Sequence, residues 1–125
     1  MLRLNKPIVA AINGIAAGAG SVLALASDLR VMADTAKFAF LFTKVGLTGA
    51  DMGAAWLLPK IVGTGRAMEL LMFGDKVTAE ESLRIGLANR VVPQDQVLAE
   101  AMTLARRLAH GPGLALGMTK KMVWN

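Results

Sequence analysis

The chain has no cysteine and no tyrosine, and it carries a single histidine, His110. Each scarcity closes a line of chemistry. Without cysteine there is no disulfide, no thiolate nucleophile and no thiolate metal ligand, a usage that fits a reducing, cytoplasmic setting. One histidine leaves a conventional zinc site without ligands, so no metal is expected. A Ser-His-Asp triad would have to be assembled around His110. Aromatic residues make up 5% of the sequence, too few for the stacking platforms that bind single-stranded nucleic acid. The 14 basic residues outnumber 9 acidic ones, for a net charge of +5, yet no long basic run occurs. They stand singly or in pairs, Arg106–Arg107 and Lys120–Lys121, which suits a phosphate-bearing small ligand better than DNA. No processing boundary follows MLRLNKP before Asp28 and Arg30, so a secretory leader is not expected.

What is abundant is apolar surface. The 125 residues are 54% hydrophobic and 18% charged, beyond the usual balance of a soluble domain. Such an excess arises from a membrane segment, or from faces that a larger assembly buries. The length suits one domain, or part of one. The run KPIVAAIN (Lys6–Asn13) reads as a buried strand ended by the Asn13-Gly14 turn. A helix is expected over Ser21–Ser27, opened by Gly20 and Ser21. Leu29–Asp34 and Ala36–Phe40 read as strands, and Gly46–Gly53 as a loop. Two helices should follow, AAWLLPKIVG broken near Pro59 and GRAMELLMFG stopped by Gly74, with Arg66 and Glu69 outward. Thr78 and Glu81 form a capping box opening a helix that ends at Gly86. Leu87–Val92 reads as a strand. Gln94–Ala109 is an amphipathic helix with Val97, Leu98, Ala101, Leu104, Ala105 and Leu108 on one face. Gly111-Pro112-Gly113 breaks it before a last helix towards Trp124. Alternating strands and helices place the chain in the α/β class.

The stretch NGIAAGAGSVLALASDLR (residues 13–30) admits three readings. Ile8–Ser27 is uncharged and contains Gly14-xxx-Gly18, a membrane helix-packing spacing. Asn13-Gly14 and the clustered glycines argue against a span, so membrane insertion is not expected. The glycine spacing matches neither the dinucleotide fingerprint nor the P-loop. The third reading is a strand–turn–helix unit whose turn aims unpaired N–H groups at a developing oxyanion. The competing explanation is that small residues let strand and helix pack closely, and spacing alone does not separate the two.

The segments KPIVAAINGIAAGAGSVLALASDLRVMADTAKFAF, KVGL, LLPKIVG and RAMELLMFGDKVTAEESLRIGLANRVVP occur in unbroken order. Together they resemble the crotonase superfamily, the enoyl-CoA hydratases and isomerases. The resemblance implies a partial ββα spiral core over about residues 1–92 and the start of a C-terminal helical region over about 93–125. It implies that the first half of such a domain, with a second oxyanion donor and much of the coenzyme A pocket, lies outside this chain. The implied substrate is an acyl-CoA thioester, with coenzyme A arriving as part of it and no separate cofactor. The implied assembly is a trimer or hexamer.

By the same resemblance, the oxyanion N–H belongs to Ala19, flanked by Ala17, Gly18 and Gly20 in the substrate-binding turn. Hydratases of the family carry two glutamates at positions that match Val22 and Phe42. Neither side chain moves a proton, which sets hydration in doubt. Asp51 is the carboxylate left nearby. It could shuttle a proton between two carbons of an enolate, as in 3-enoyl to 2-enoyl isomerisation, or it could cap the helix starting near Gly53. Apolar neighbours, Phe42, Met52 and Trp56, should raise its pKa by desolvation, and Phe42 and Trp56 are further candidates for substrate contact. Asp28 is expected to cap or pair at a helix–strand junction, and His110 to serve a helix terminus. Lys120 and Lys121 are expected to meet coenzyme A phosphates or to be solvated. The eight methionines read as core filler or acyl-pocket lining. Two alternatives stay open: a catalytically silent acyl-CoA binder, and an RNA-binding relative.

Overall fold

A computed structural model describes residues 1–46 and 52–125 in full and Asp51 by its backbone. The runs on either side of Asn13-Gly14 form β1 (Val9–Ile12) and β2 (Ile15–Ala17). The turn sends the chain from one sheet into another, so that β1 and β2 do not pair. After α1 (Ala19–Leu25) the chain repeats the excursion with β3 (Leu29–Ala33) and β4 (Lys37–Ala39). Val9 pairs with Leu29 and Ile15 with Lys37, both in parallel, so successive turns of the coil stack at steps of 20 and 22 residues. Two helices follow, α2 (Ala54–Val62) and α3 (Thr64–Phe73). The antiparallel strand β5 (Lys76–Thr78) closes the second sheet, in the order β2-β4-β5. Then α4 (Ala79–Arg84) leads to β6 (Arg90–Val92), which completes the first sheet, β1-β3-β6, all parallel. Helices α5 (Val97–Ala109) and α6 (Gly113–Trp124) end the chain. No described helix is long and apolar enough to cross a membrane.

The α/β expectation holds, with local corrections. Strands β2 and β5 were not expected; each has three residues, too short to show a period, and both exist by pairing with β4. Helix α1 begins at Ala19 and not at Ser21, and it ends at Leu25. Pro59 does not break α2: the carbonyl robbed of its donor belongs to Ala55, which is exposed to water. The Thr78 hydroxyl accepts from Glu81 N–H at 3.2 Å, but the Glu81 carboxylate turns to Arg84 and completes no reciprocal box. That hydrogen bond holds Glu81 below its usual pKa and Arg84 above its own. On α5, Val97 and Ala101 are buried as expected, whereas Leu98 is 68% exposed. Only Met32 of the methionines is core; the other seven are exposed. Of the expected Gly46–Gly53 loop, residues 47–50 lie outside the described residues, and Asp51–Gly53 is a 3-10 turn.

The core lies between the sheets and the helices, centred on Leu25, Val31, Met32, Phe38, Phe40, Leu58 and Leu87, all fully buried. Within it sits a charge. Arg30, on the middle strand β3, is 6% exposed; its Nε donates to the Leu87 carbonyl and its Nη1 to the Ser27 carbonyl, both at 2.7 Å. Burial pushes the guanidinium pKa down, and Asp28 nearby opposes that shift. Asn89 holds the same strand residue through both backbone groups: its Oδ1 accepts from Arg30 N–H, and its own N–H donates to the Arg30 carbonyl.

A second buried cluster docks α6. Lys120, expected near phosphates or in solvent, is neither. Its Nζ lies 2.9 Å from Asp28 Oδ2 and donates to the carbonyls of Met1 and Lys6 at 3.0 and 2.9 Å. Asp28 also accepts from Ile8 N–H at 2.7 Å and from the Trp124 indole at 2.8 Å, so the expected junction pairing is present. The helix approaches so closely that a Cβ on Gly117 would stand 2.6 Å from the Asn5 carbonyl.

Arg30→Met should therefore cost about 3 kcal/mol, since it strands two buried carbonyls, while Arg90→Ala at the exposed strand end should stay within about 0.5 kcal/mol. Urea unfolding checks both. Lys120→Met should be strongly destabilising, by about 3 kcal/mol, because the Asp28 carboxylate loses its countercharge. Lys121→Met, on the exposed side of α6, should leave the urea midpoint unchanged.

Candidate active site

The site is built where β2 ends. Gly18 has φ 53° and ψ −125°, a backbone conformation that turns the chain from β2 into α1. A side chain is strained there whatever the space around it. The Gly18 carbonyl accepts from the N–H groups of Ser21 and Val22 and from the Ser21 hydroxyl at 2.6 Å. The turn is thus locked from inside by a fully buried serine. Ala19 follows with a negative φ, so alanine is unstrained at the expected donor position. As the first residue of α1, its N–H has no intrahelical acceptor, and it pairs with none among the described residues.

That N–H borders a shallow cleft of about 410 Å³ lined by Ala17, Gly18, Ala19, Leu41, Phe42, Val45 and Met52. Four of the expected site residues, Ala17, Gly18, Ala19 and Phe42, come together here. Phe42 is 5% exposed and Val22 7%, both in the apolar core. The 3-10 turn Thr43–Val45 holds Phe42 in place, with the Thr43 hydroxyl donating to the Leu71 carbonyl of α3 at 3.0 Å. The described side chains of the cleft, Leu41, Phe42, Val45 and Met52, are apolar, so charge developing beside Ala19 would be met there by its backbone N–H rather than by a charged side chain.

Other expected members lie elsewhere. Gly20 faces a neighbouring hollow with Gly14, Ile15 and Leu23. Trp56, on the first turn of α2, stacks on Trp124 at 6.2 Å between ring centroids, and Lys60 Nζ sits 4.4 Å from its ring centre. The Asp51 side chain lies outside the described residues; its backbone begins the 3-10 turn that enters α2. His110 is a helix terminus, as expected, with Nδ1 donating to the Arg106 carbonyl at 2.7 Å.

Sequence reasoning missed one contributor: Ser21 was read as a helix starter and is the lock of the turn. A serine near a helix start is ordinary and leaves no sequence signal. Met52, expected among the apolar neighbours, does line the cleft, with φ 56°, the one non-glycine residue with positive φ among the described residues.

The enoyl-CoA hydratase/isomerase family profile matches residues 1–125. The chain is 41% identical over 123 residues to the probable enoyl-CoA hydratase echA12 of Mycobacterium tuberculosis, covering 98% of this chain and 43% of that protein. It is equally identical, 41% over 123 residues, to 1,2-epoxyphenylacetyl-CoA isomerase of Escherichia coli K12, covering 98% and 47%. Its fold matches a Streptomyces coelicolor A3(2) crystal structure, provisionally named an enoyl-CoA hydratase, with a TM-score of 0.95 and 53% identity. That match covers 98% of this chain and 45% of the other. The chain therefore spans a little under half the length of these relatives. On profile, identity and fold together, it belongs to the enoyl-CoA hydratase/isomerase, or crotonase, family.

Proposed function

We propose that the protein containing this chain acts on an acyl-CoA thioester and moves a double bond by way of an enolate. The observation that carries the reading is the Gly18–Ala19 turn, whose Ala19 N–H is unpaired among the described residues and borders a cleft with apolar described side chains. In this mechanism the Ala19 N–H donates to the thioester oxygen. The Asp51 carboxylate takes a proton from the carbon next to the thioester, and the electron pair passes into a dienolate. The same carboxylic acid returns the proton to the γ carbon, so a 3-enoyl thioester becomes a 2-enoyl thioester with atoms and charge balanced. Isomerisation is favoured over hydration because Val22 and Phe42 stand where the resemblance expects the hydratase glutamates. Water addition needs two proton-moving groups, and apolar side chains at both positions supply none. The names of relatives include both activities, a hydratase and an epoxide isomerase, so family alone does not decide.

The division of the chain into spiral core (about 1–92) and helical region (about 93–125) belongs to this proposal, as do the assignment of coenzyme A as part of the substrate and trimeric or hexameric assembly. A second reading, a silent acyl-CoA binder, is favoured by the same Val22 and Phe42.

With a panel of acyl-CoA esters and product analysis by mass spectrometry, Asp51→Asn should lower turnover at least 100-fold while leaving acyl-CoA affinity within about twofold. Hydrated product would overturn the isomerase reading, and binding without any turnover in an active-length protein would favour the silent binder. Gly18→Ala should cost about 1–3 kcal/mol of stability from backbone strain alone, since the added methyl meets nothing within 4 Å. It should also lower kcat by displacing the Ala19 N–H, measured in the same assay.

A further inference from the structure

The segment carrying Asp51 is short and bent. Met52 and Gly53 are both left-handed, at φ 56° and 92°, and α2 starts immediately afterwards. Two consecutive residues of that hand hold their direction only if the helix they enter is fixed. Ala54 is fully buried and supplies one anchor. Trp56 supplies the second, yet it is 48% exposed, so burial does not hold it. What touches it is Trp124, stacked at 6.2 Å with 24° between ring planes, and Lys60 lies against the ring at 4.4 Å. Trp124 is in turn tied to Asp28 through its indole N–H, and Asp28 to Lys120 and to the start of β1.

We propose that Trp124 is a positioning residue: through its stack on Trp56 it fixes residues 52–56, and with them the segment that bears Asp51. The catalytic value of that placement rests on the proposed role of Asp51; the placement itself does not. The stack contributes a preferred orientation of the α2 first turn, and α6, docked through Lys120, brings the Trp124 ring to where the stack can form. Removing the ring leaves the left-handed pair without its second anchor.

The chain's two tryptophans are both in the stack, and there is no tyrosine, so coupling of their strong indole transitions in far-ultraviolet circular dichroism, read as the difference from each tryptophan variant, reports this contact directly. An exciton-coupled band is expected for the full chain and should vanish in Trp56→Phe and in Trp124→Phe alike. In amide hydrogen exchange, Trp124→Ala should speed exchange about tenfold over residues 52–58 and leave α4 and β6 unchanged. Trp124→Phe keeps a ring to stack while giving up the hydrogen bond to Asp28, and it should preserve most of the protection. Absence of a coupled band in the unsubstituted chain would overturn the proposal. So would unchanged exchange over 52–58, equal acceleration everywhere, or a Trp124→Phe variant as exposed as Trp124→Ala. In an active-length protein, Trp124→Ala should lower kcat with KM unchanged, and it should add nothing to Asp51→Asn. A protein without turnover would sink the catalytic reading while the exchange comparison still judges the stack.

Discussion

A guanidinium in the middle strand of a parallel sheet has to find carbonyl oxygens inside the protein, because water does not reach it. Arg30 finds them at the end of α1 and in the connection between α4 and β6. One side chain thereby sets the distance between α1 and β6, two elements far apart in sequence. Asn89, reading both backbone groups of Arg30, keeps β6 in register against β3. The candidate site depends on this arrangement. The Ala19 N–H, unpaired among the described residues, points out of the N-terminus of α1, and just past the other end of that helix Arg30 takes the Ser27 carbonyl.

The chemistry proposed for the site depends on what the surrounding side chains cannot do. A backbone donor makes no demand on side-chain identity, so relatives that share the turn can differ in the reaction they promote. Phe42 lines the cleft with hydrocarbon, and Val22 is buried in the apolar core. In the proposed mechanism neither hydrocarbon side chain can move a proton, so that task falls to Asp51.

Much of the fold was legible in the residues, and the losses have physical causes. β1, β3 and β4 announced themselves through β-branched and aromatic runs, and α5 through its apolar stripe. β2 and β5 did not, because a three-residue strand is defined by a partner brought close by the coil rather than by local preference. Lys120 was legible only as a charge on a late helix. Its burial follows from three acceptors contributed by residues 1, 6 and 28, which no local pattern joins. At the site, the glycine turn and Phe42 could be placed by resemblance. Trp56 looked like a pocket residue because of its nearness to Asp51 in sequence, yet its ring meets Trp124.

The docking of α6 also has a temporal side. Lys120 reaches carbonyls 119 and 114 positions away, among the longest loops this chain can close. Closing such a loop costs entropy before its contacts return anything, and contacts of that span form late in folding. The sheets and α1–α4 can assemble from nearer neighbours first. The turn at Gly18 would then exist before α6 arrives, whereas the first turn of α2, which carries Trp56 against Trp124, would settle only afterwards, making the entry into α2 the last part of the chain to mature.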